Sequence, residues 1–169
     1  MAGDERKHLM DITSQNHAAR RKDRVSWSRL IDDHDRIAER CADLVAVLQR
    51  SDHDCAAASR KLLELAVLVA EHLGVEDEVI DLTALATEAD YAPETVAAMA
   101  AELDALRREW RVFVANWLPT IDHGDWDEFR REAEAMLARL TYQVKRESTL
   151  LYDDALQAGT IATGAVDLH

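Results

Sequence analysis

Residues 62–80 read LLELAVLVAEHLGVEDEVI, and their apolar spacing predicts a helix that packs into a bundle. The side chains expected to face inward recur at alternating intervals of three and four residues: Leu62, Leu65, Val69, His72, Glu76 and Val79. Two members of this stripe, His72 and Glu76, are polar and lie one turn apart. A buried carboxylate beside a buried imidazole is costly unless a partner compensates it. A metal ion would provide that compensation, so this stripe directs the search for a site.

The same periodicity recurs in three further segments, so the sequence predicts four long helices. We expect helix 1 from about Asp23 to Arg50, helix 2 from about Cys55 to Asp81, helix 3 from about Pro93 to Trp117, and helix 4 from about Trp126 to Gln157. No segment has the alternation typical of a strand. Short or moderate links between long helices favour an all-α, up-down-up-down antiparallel four-helix bundle.

Length and composition suit that architecture. The chain has 169 residues, enough for one domain with a substantial core. Its five Gly and two Pro are few, which favours long uninterrupted elements. We assign residues 1–22 to a polar N-terminal arm, 23–158 to the bundle and 159–169 to a C-terminal tail.

The charge of the chain limits its partners. A net charge of −13 argues against nucleic acid and against an anionic membrane surface. The local basic run Arg20, Arg21, Lys22 and Arg24 is more typical of a solvated face or mobile arm than of a phosphate-binding patch. No apolar run is long enough to span a bilayer, and the polar start MAGDERKHLMDITSQ does not have the pattern of a signal peptide. We therefore expect a cytoplasmic protein, in which Cys41 and Cys55 form no disulfide framework.

Five polar residues interrupt the inward stripes: His34, His72, Glu76, Gln143 and Glu147. His34 lies 18 residues before a turn centred on residue 52, and His72 lies 20 residues after it. Glu76 lies 24 residues after that turn, and Glu147 lies 25 after the turn centred on residue 122. At about 1.5 Å per residue the two histidines agree to within a turn and the two carboxylates lie at similar depth, so all four side chains converge at one end of the bundle. Gln143 lies one turn before Glu147.

Two imidazoles and two carboxylates form a nitrogen and oxygen donor set that suits iron, manganese or zinc. Each such residue alone is more often a hydrogen-bonded core or rim residue. Four at one level argue against that reading, because burial without partners would cost on the order of several kcal/mol. The sequence thus predicts His34, His72, Glu76 and Glu147 as metal ligands, with Gln143 as a supporting residue.

Three motifs, taken in order, resemble the hemerythrin-like (HHE cation-binding) family. They are Leu30-x-x-x-His34-x-x-Ile37, His72-x-x-x-Glu76-Asp77 and Val144-x-x-Glu147-x-x-x-Leu151-Tyr152, and the resemblance covers roughly residues 25–158. It implies a four-helix bundle, a non-heme di-iron centre with mostly histidine ligands and two bridging carboxylates, and binding or sensing of oxygen or nitric oxide, or iron storage. By position, His34 and His72 resemble histidines of one iron, and Glu76 and Glu147 resemble the bridging carboxylates.

The chain departs from that pattern at the second iron. Met99 and Leu103 stand where the third helix of the family supplies histidines, and Gln143 replaces the histidine of the fourth. The resemblance therefore implies one mononuclear ion, which is iron or else zinc or manganese, or a metal-free relic held by hydrogen bonds. Reversible oxygen binding as peroxide needs two irons, so we do not expect an ordinary oxygen carrier.

Three functions stay open at this point. The first is a cytoplasmic metal-binding protein that binds or senses a small ligand such as oxygen or nitric oxide. The second is a metal-free regulatory bundle that binds a protein partner or a second copy through aromatic side chains: Tyr91, Trp110, Trp117 and Trp126. The third, an enzyme, is disfavoured because the sequence has no Ser/His/Asp or Cys/His arrangement and no glycine-rich phosphate loop. The remaining histidines fall in polar ends or turns and are read as solvated: His8, His17, His53, His123 and His169.

Overall fold

The computed structural model describes residues 29–79 and 92–157, with side chains placed except at 75–79 and 151–157. Within those ranges the chain forms four long helices and no strand. The helices are α1 over residues 29–48, α2 over Cys55–Val79, α3 over Pro93–Trp117 and α4 over Trp126–Gln157, with a short 3₁₀ turn at His123–Asp125 before α4. The predicted all-α bundle is confirmed.

Contacts between helices establish their directions. Lys61 Nζ lies 3.2 Å from Asp43 Oδ2, and His72 meets His34 further along, so α1 and α2 are antiparallel. Glu102 pairs with Arg146 on the neighbouring helix, and Glu109 pairs with Arg139, so α3 and α4 are antiparallel too. His34 contacts Ser148 and Cys41 contacts Thr141, so α1 and α4 are antiparallel as well, and α2 and α4 run the same way in an up-down-up-down arrangement.

The turn between α1 and α2 follows from its residues. The carboxylate of Asp54 accepts a hydrogen bond from the backbone N–H of Ala57 at 2.9 Å and so caps α2. His53, just before it, has a positive φ of 46°, a conformation that reverses the chain. α1 ends at residue 48 rather than at the predicted Arg50, because the N–H of Arg50 already bonds to the carbonyl of Val47 in a tighter turn.

α3 and α4 begin and end at the predicted residues. Pro93 opens α3, where its missing N–H costs nothing. After α3, Ile121 is 2% exposed, and its backbone N–H donates to Ser59 Oγ on α2 at 3.1 Å. α2 begins at the predicted Cys55, while its predicted end at Asp81 and the predicted start of α1 at Asp23 lie outside the described residues.

Aromatic side chains fill the core beside the two turns. Phe129 is fully buried, and its ring lies 5.2 Å from that of Trp117, 6.1 Å from that of Trp126 and 6.3 Å from that of Phe113. We call Phe113, Trp117, Trp126 and Phe129 the aromatic cluster. Trp110 and Trp126 are only 6% and 2% exposed, so both are core residues and cannot anchor a partner on the surface. Tyr91 lies outside the described residues.

Candidate metal centre

At the opposite level of the bundle, the core contains polar side chains. His34, His72 and Glu147 are each at most 3% exposed, and Gln143 is 7% exposed. We call these four residues the polar cluster. The side chain of the fifth predicted residue, Glu76, lies outside the described residues, although its backbone continues α2 one turn beyond His72.

Three helices bring three donor atoms to one point. His34 Nε2 lies 3.2 Å from His72 Nε2 and 3.1 Å from Glu147 Oε2, and His72 Nε2 lies 3.9 Å from the same oxygen. Two ligand atoms bound at about 2.1 Å to one tetrahedral ion are about 3.4 Å apart. The observed separations bracket that value, so the three donor atoms could hold a metal ion. Among the residues with placed side chains, this is the group of His, Cys, Asp or Glu found close enough to hold a metal.

The outer nitrogen of His34 has its own partner. His34 Nδ1 lies 2.8 Å from Ser148 Oγ on α4. The imidazole rings of His34 and His72 meet edge to face, with their centroids 4.6 Å apart. Sequence reasoning missed Ser148, because it follows Glu147 directly and so falls beside the inward stripe. A hydroxyl adjacent to a predicted ligand is the signal that would have drawn attention to it.

The second oxygen of Glu147 is held from its own helix. Gln143 Nε2 donates to Glu147 Oε1 at 2.6 Å, and Gln143 Oε1 accepts from the guanidinium of Arg146 at 2.7 Å. Arg146 in turn donates to Glu102 on α3 at 2.7 Å. Gln143 therefore supports Glu147 through both ends of its amide. Arg146 and Glu102 were not predicted, because neither lies in an inward stripe.

These contacts decide the charge of the buried carboxylate. Burial raises the pKa of Glu147, but hydrogen bonds from His34, His72 and Gln143, together with the charge of His34, outweigh burial and lower its pKa to about 2. Glu147 is therefore ionised at neutral pH. The site presents a negative oxygen between two imidazole nitrogens, which is a donor set suited to a divalent cation.

A family model described as the Hemerythrin HHE cation binding domain matches residues 25–155. This chain belongs to the hemerythrin HHE family. The match covers most of the chain and confirms the family predicted from the three motifs. Comparisons with curated proteins and with solved structures found no match. The family description associates this HHE domain with cation binding, and the geometry of the polar cluster fits a cation.

The third helix of this HHE domain offers mostly apolar side chains to the polar cluster. Leu103, Leu106, Arg107 and Trp110 line a cavity of about 30 Å³ that His72 and Glu147 also border. Met99 packs instead against a separate pair of buried side chains, Val96 and Leu150. The volume is sufficient for a water-sized or diatomic molecule. The two positions that would supply histidines to a second iron thus contribute packing.

The remaining candidate groups lie away from the polar cluster. Burial raises the pKa of the Cys41 thiol to about 11 although a hydrogen bond from Thr141 lowers it, and burial also raises the pKa of Cys55. Both thiols are free and buried. His53 and His123 are exposed, and His8, His17 and His169 lie outside the described residues.

None of the described helices is both long and apolar enough to cross a bilayer.

Proposed function

We propose that this protein is a cytoplasmic metal-binding protein that holds one non-heme iron ion, or zinc or manganese in its place, between His34, His72 and Glu147. The observation that supports this proposal is the convergence of two imidazole nitrogens and an ionised carboxylate oxygen from three helices inside the core. Such a concentration of polar groups is costly in an apolar interior, and a cation offsets that cost.

Glu76 is proposed as the fourth ligand. It follows His72 by four residues on α2, and side chains at that spacing lie on the same face of a helix. A second carboxylate would balance the charge of a divalent ion, since His34 and His72 bind a metal as neutral imidazoles. The donor set would then be two nitrogens and two oxygens.

The contacts of Glu147 support one ion rather than two. A carboxylate that bridges two metals uses both of its oxygens. Here Oε2 faces the histidines, while Oε1 accepts a hydrogen bond from the amide of Gln143. The N–H of the Gln143 amide therefore occupies the position beside Glu147 Oε1 at which a second cation would bind. Leu103, at the border of the cavity, supplies no ligand there either.

The cavity beside the cluster supports a small neutral molecule as the ligand. Most of the side chains that line it are apolar, with Arg107 the charged residue that α3 contributes, so the cavity favours oxygen or nitric oxide over a charged ligand. The bound metal would supply an open coordination position. The chain would supply the route to it, a limit on the size of the ligand and a site from which water is excluded.

Leu103→Phe should fill the cavity. We expect it to leave the metal content unchanged while weakening nitric oxide binding to the iron(II)-loaded protein, followed by electron paramagnetic resonance.

Metal analysis tests the proposal. Protein expressed in iron-supplemented and, separately, in zinc-supplemented medium is purified and analysed by mass spectrometry of the elements. We expect close to one ion per chain in the wild type and none in His72→Ala. The matched control is His123→Ala, which removes an exposed imidazole near the turns and should retain the metal.

A wild-type protein that holds no metal from either medium, and stays folded in chelator, would contradict the proposal. That result would favour the alternative, a metal-free regulatory bundle in which the polar cluster is a relic. Such a bundle would work through a protein partner or a homodimer.

A further inference from the structure

Ser148 contacts His34 on the side away from the candidate metal. The imidazole is 2% exposed, with Nε2 facing His72 and Glu147 and Nδ1 lying 2.8 Å from Ser148 Oγ. Both nitrogens of one buried ring are therefore engaged, each by a different kind of group. What each nitrogen can do depends on whether it carries a proton.

Binding a metal fixes which nitrogen of His34 carries the proton. Without a metal, Nε2–H can donate to Glu147 Oε2 at 3.1 Å. A metal bound at Nε2 requires the lone pair there, so the ring keeps its proton on Nδ1. Nδ1–H then donates to Ser148 Oγ.

The oxygen of the Ser148 hydroxyl is an acceptor within hydrogen-bond distance of that Nδ1–H. We propose that Ser148 is a positioning residue that stabilises the Nδ1–H tautomer of His34 and so presents Nε2 to the metal. This inference rests on the proposed metal-binding function. It differs from that function in its subject: the proposed function names the side chains that bind the metal, whereas this inference names the side chain that orients one of them.

Removing the hydroxyl should weaken metal binding. In Ser148→Ala the Nδ1–H of the metal-bound state would be buried without that acceptor, so we expect the dissociation constant for Zn²⁺ to rise by about tenfold. Ser148→Thr keeps a hydroxyl and should restore binding. Thr149→Ala is the matched control, since Thr149 is exposed on the next position of α4 and its hydroxyl donates to the carbonyl of Lys145.

The experiment titrates Zn²⁺ into each variant against a chromophoric chelator and records thermal unfolding of the metal-free proteins. Nitrogen-15 NMR of the zinc-loaded wild type should also show an Nδ1 proton on His34 that exchanges slowly with water. In Ser148→Ala this proton should exchange with water rapidly. The NMR measurement on the wild type stands even if the alanine variant folds poorly.

Three results would overturn the inference. If the wild type binds zinc and Ser148→Ala binds it equally well, Ser148 has no positioning role although the proposed function stands. If Thr149→Ala loses as much affinity for zinc as Ser148→Ala, the loss comes from a general change in α4 and not from the lost hydrogen bond to His34. If the wild type binds no zinc, the inference falls, and the proposed function falls with it only if the protein also holds no iron.

Discussion

Beside the two turns, the interior of the bundle is built from the aromatic cluster, whereas at the opposite level it is built from the polar cluster. Phe129 and Glu147 lie on the same face of α4, and both are at most 3% exposed. Phe129 needs only close contact with its neighbours. Glu147 needs His34, His72 and Gln143 at defined distances to remain ionised in the core. One helix therefore carries a packing site and a chemical site, and they differ in what they require of their surroundings.

This difference predicts opposite responses to mutation and to ligand. The aromatic cluster should determine stability and be indifferent to metal. The polar cluster should determine metal binding, and its effect on stability should depend on pH and on the ion. The following predictions test that division, from the largest expected effect to the smallest.

Phe129→Ala should lower the free energy of unfolding by about 3–5 kcal/mol, because it leaves a cavity among rings that pack at 5.2–6.3 Å. Urea unfolding followed by circular dichroism measures the change. Metal content per folded chain should not alter. A variant that folds normally but has lost its metal would show that the two clusters are coupled.

The stability of the metal-free protein should fall in acid because of Glu147. Its folded pKa of about 2 lies below the ordinary value of 4.5, so the unfolded chain takes up the proton at a higher pH than the folded chain. The stabilisation is complete above pH 4.5 and is lost as the pH falls toward 2. Its size is on the order of 3 kcal/mol.

Urea unfolding of the metal-free protein at several pH values below 5 measures this dependence. Glu147→Gln should flatten the profile, whereas Glu128→Gln, which changes an exposed carboxylate on the same helix, should not. An unchanged profile in Glu147→Gln would mean that another carboxylate carries the acid sensitivity.

Metal ion should stabilise the wild type but not a variant of the polar cluster. At a free ion concentration of a hundred times the dissociation constant, the expected gain is about 2.7 kcal/mol, measured as a rise in the unfolding temperature. His34→Ala should show no rise, and Phe129→Ala should show the full rise from its lower baseline. An equal rise in His34→Ala would place the ion elsewhere.

The sequence predicted the helices and the level of the site because both follow from periodicity. Stripes at three- and four-residue intervals identified His34, His72, Gln143 and Glu147 as inward-facing, and counting from the turns placed them together. Pro93 and the turn at His123–Asp125 made the bounds of α3 and α4 predictable.

The supporting contacts could not be predicted in the same way. Ser148 meets His34 across 114 positions of the chain, at a point set by the rotation of α4 about its axis. Arg146 and Glu102 lie outside the inward stripes, and their pairing depends on side-chain rotamers. Periodicity identifies the face of a helix, whereas hydrogen-bond partners depend on distances that the pattern does not contain.

The central claim is that one metal ion binds between α1, α2 and α4. Its most direct test is an anomalous diffraction map of crystals of the metal-loaded wild type, collected at the absorption edge of the metal. We predict a single peak within coordination distance of His34 Nε2, His72 Nε2 and Glu147 Oε2. Two peaks that share Glu147, or a peak away from these atoms, would contradict it.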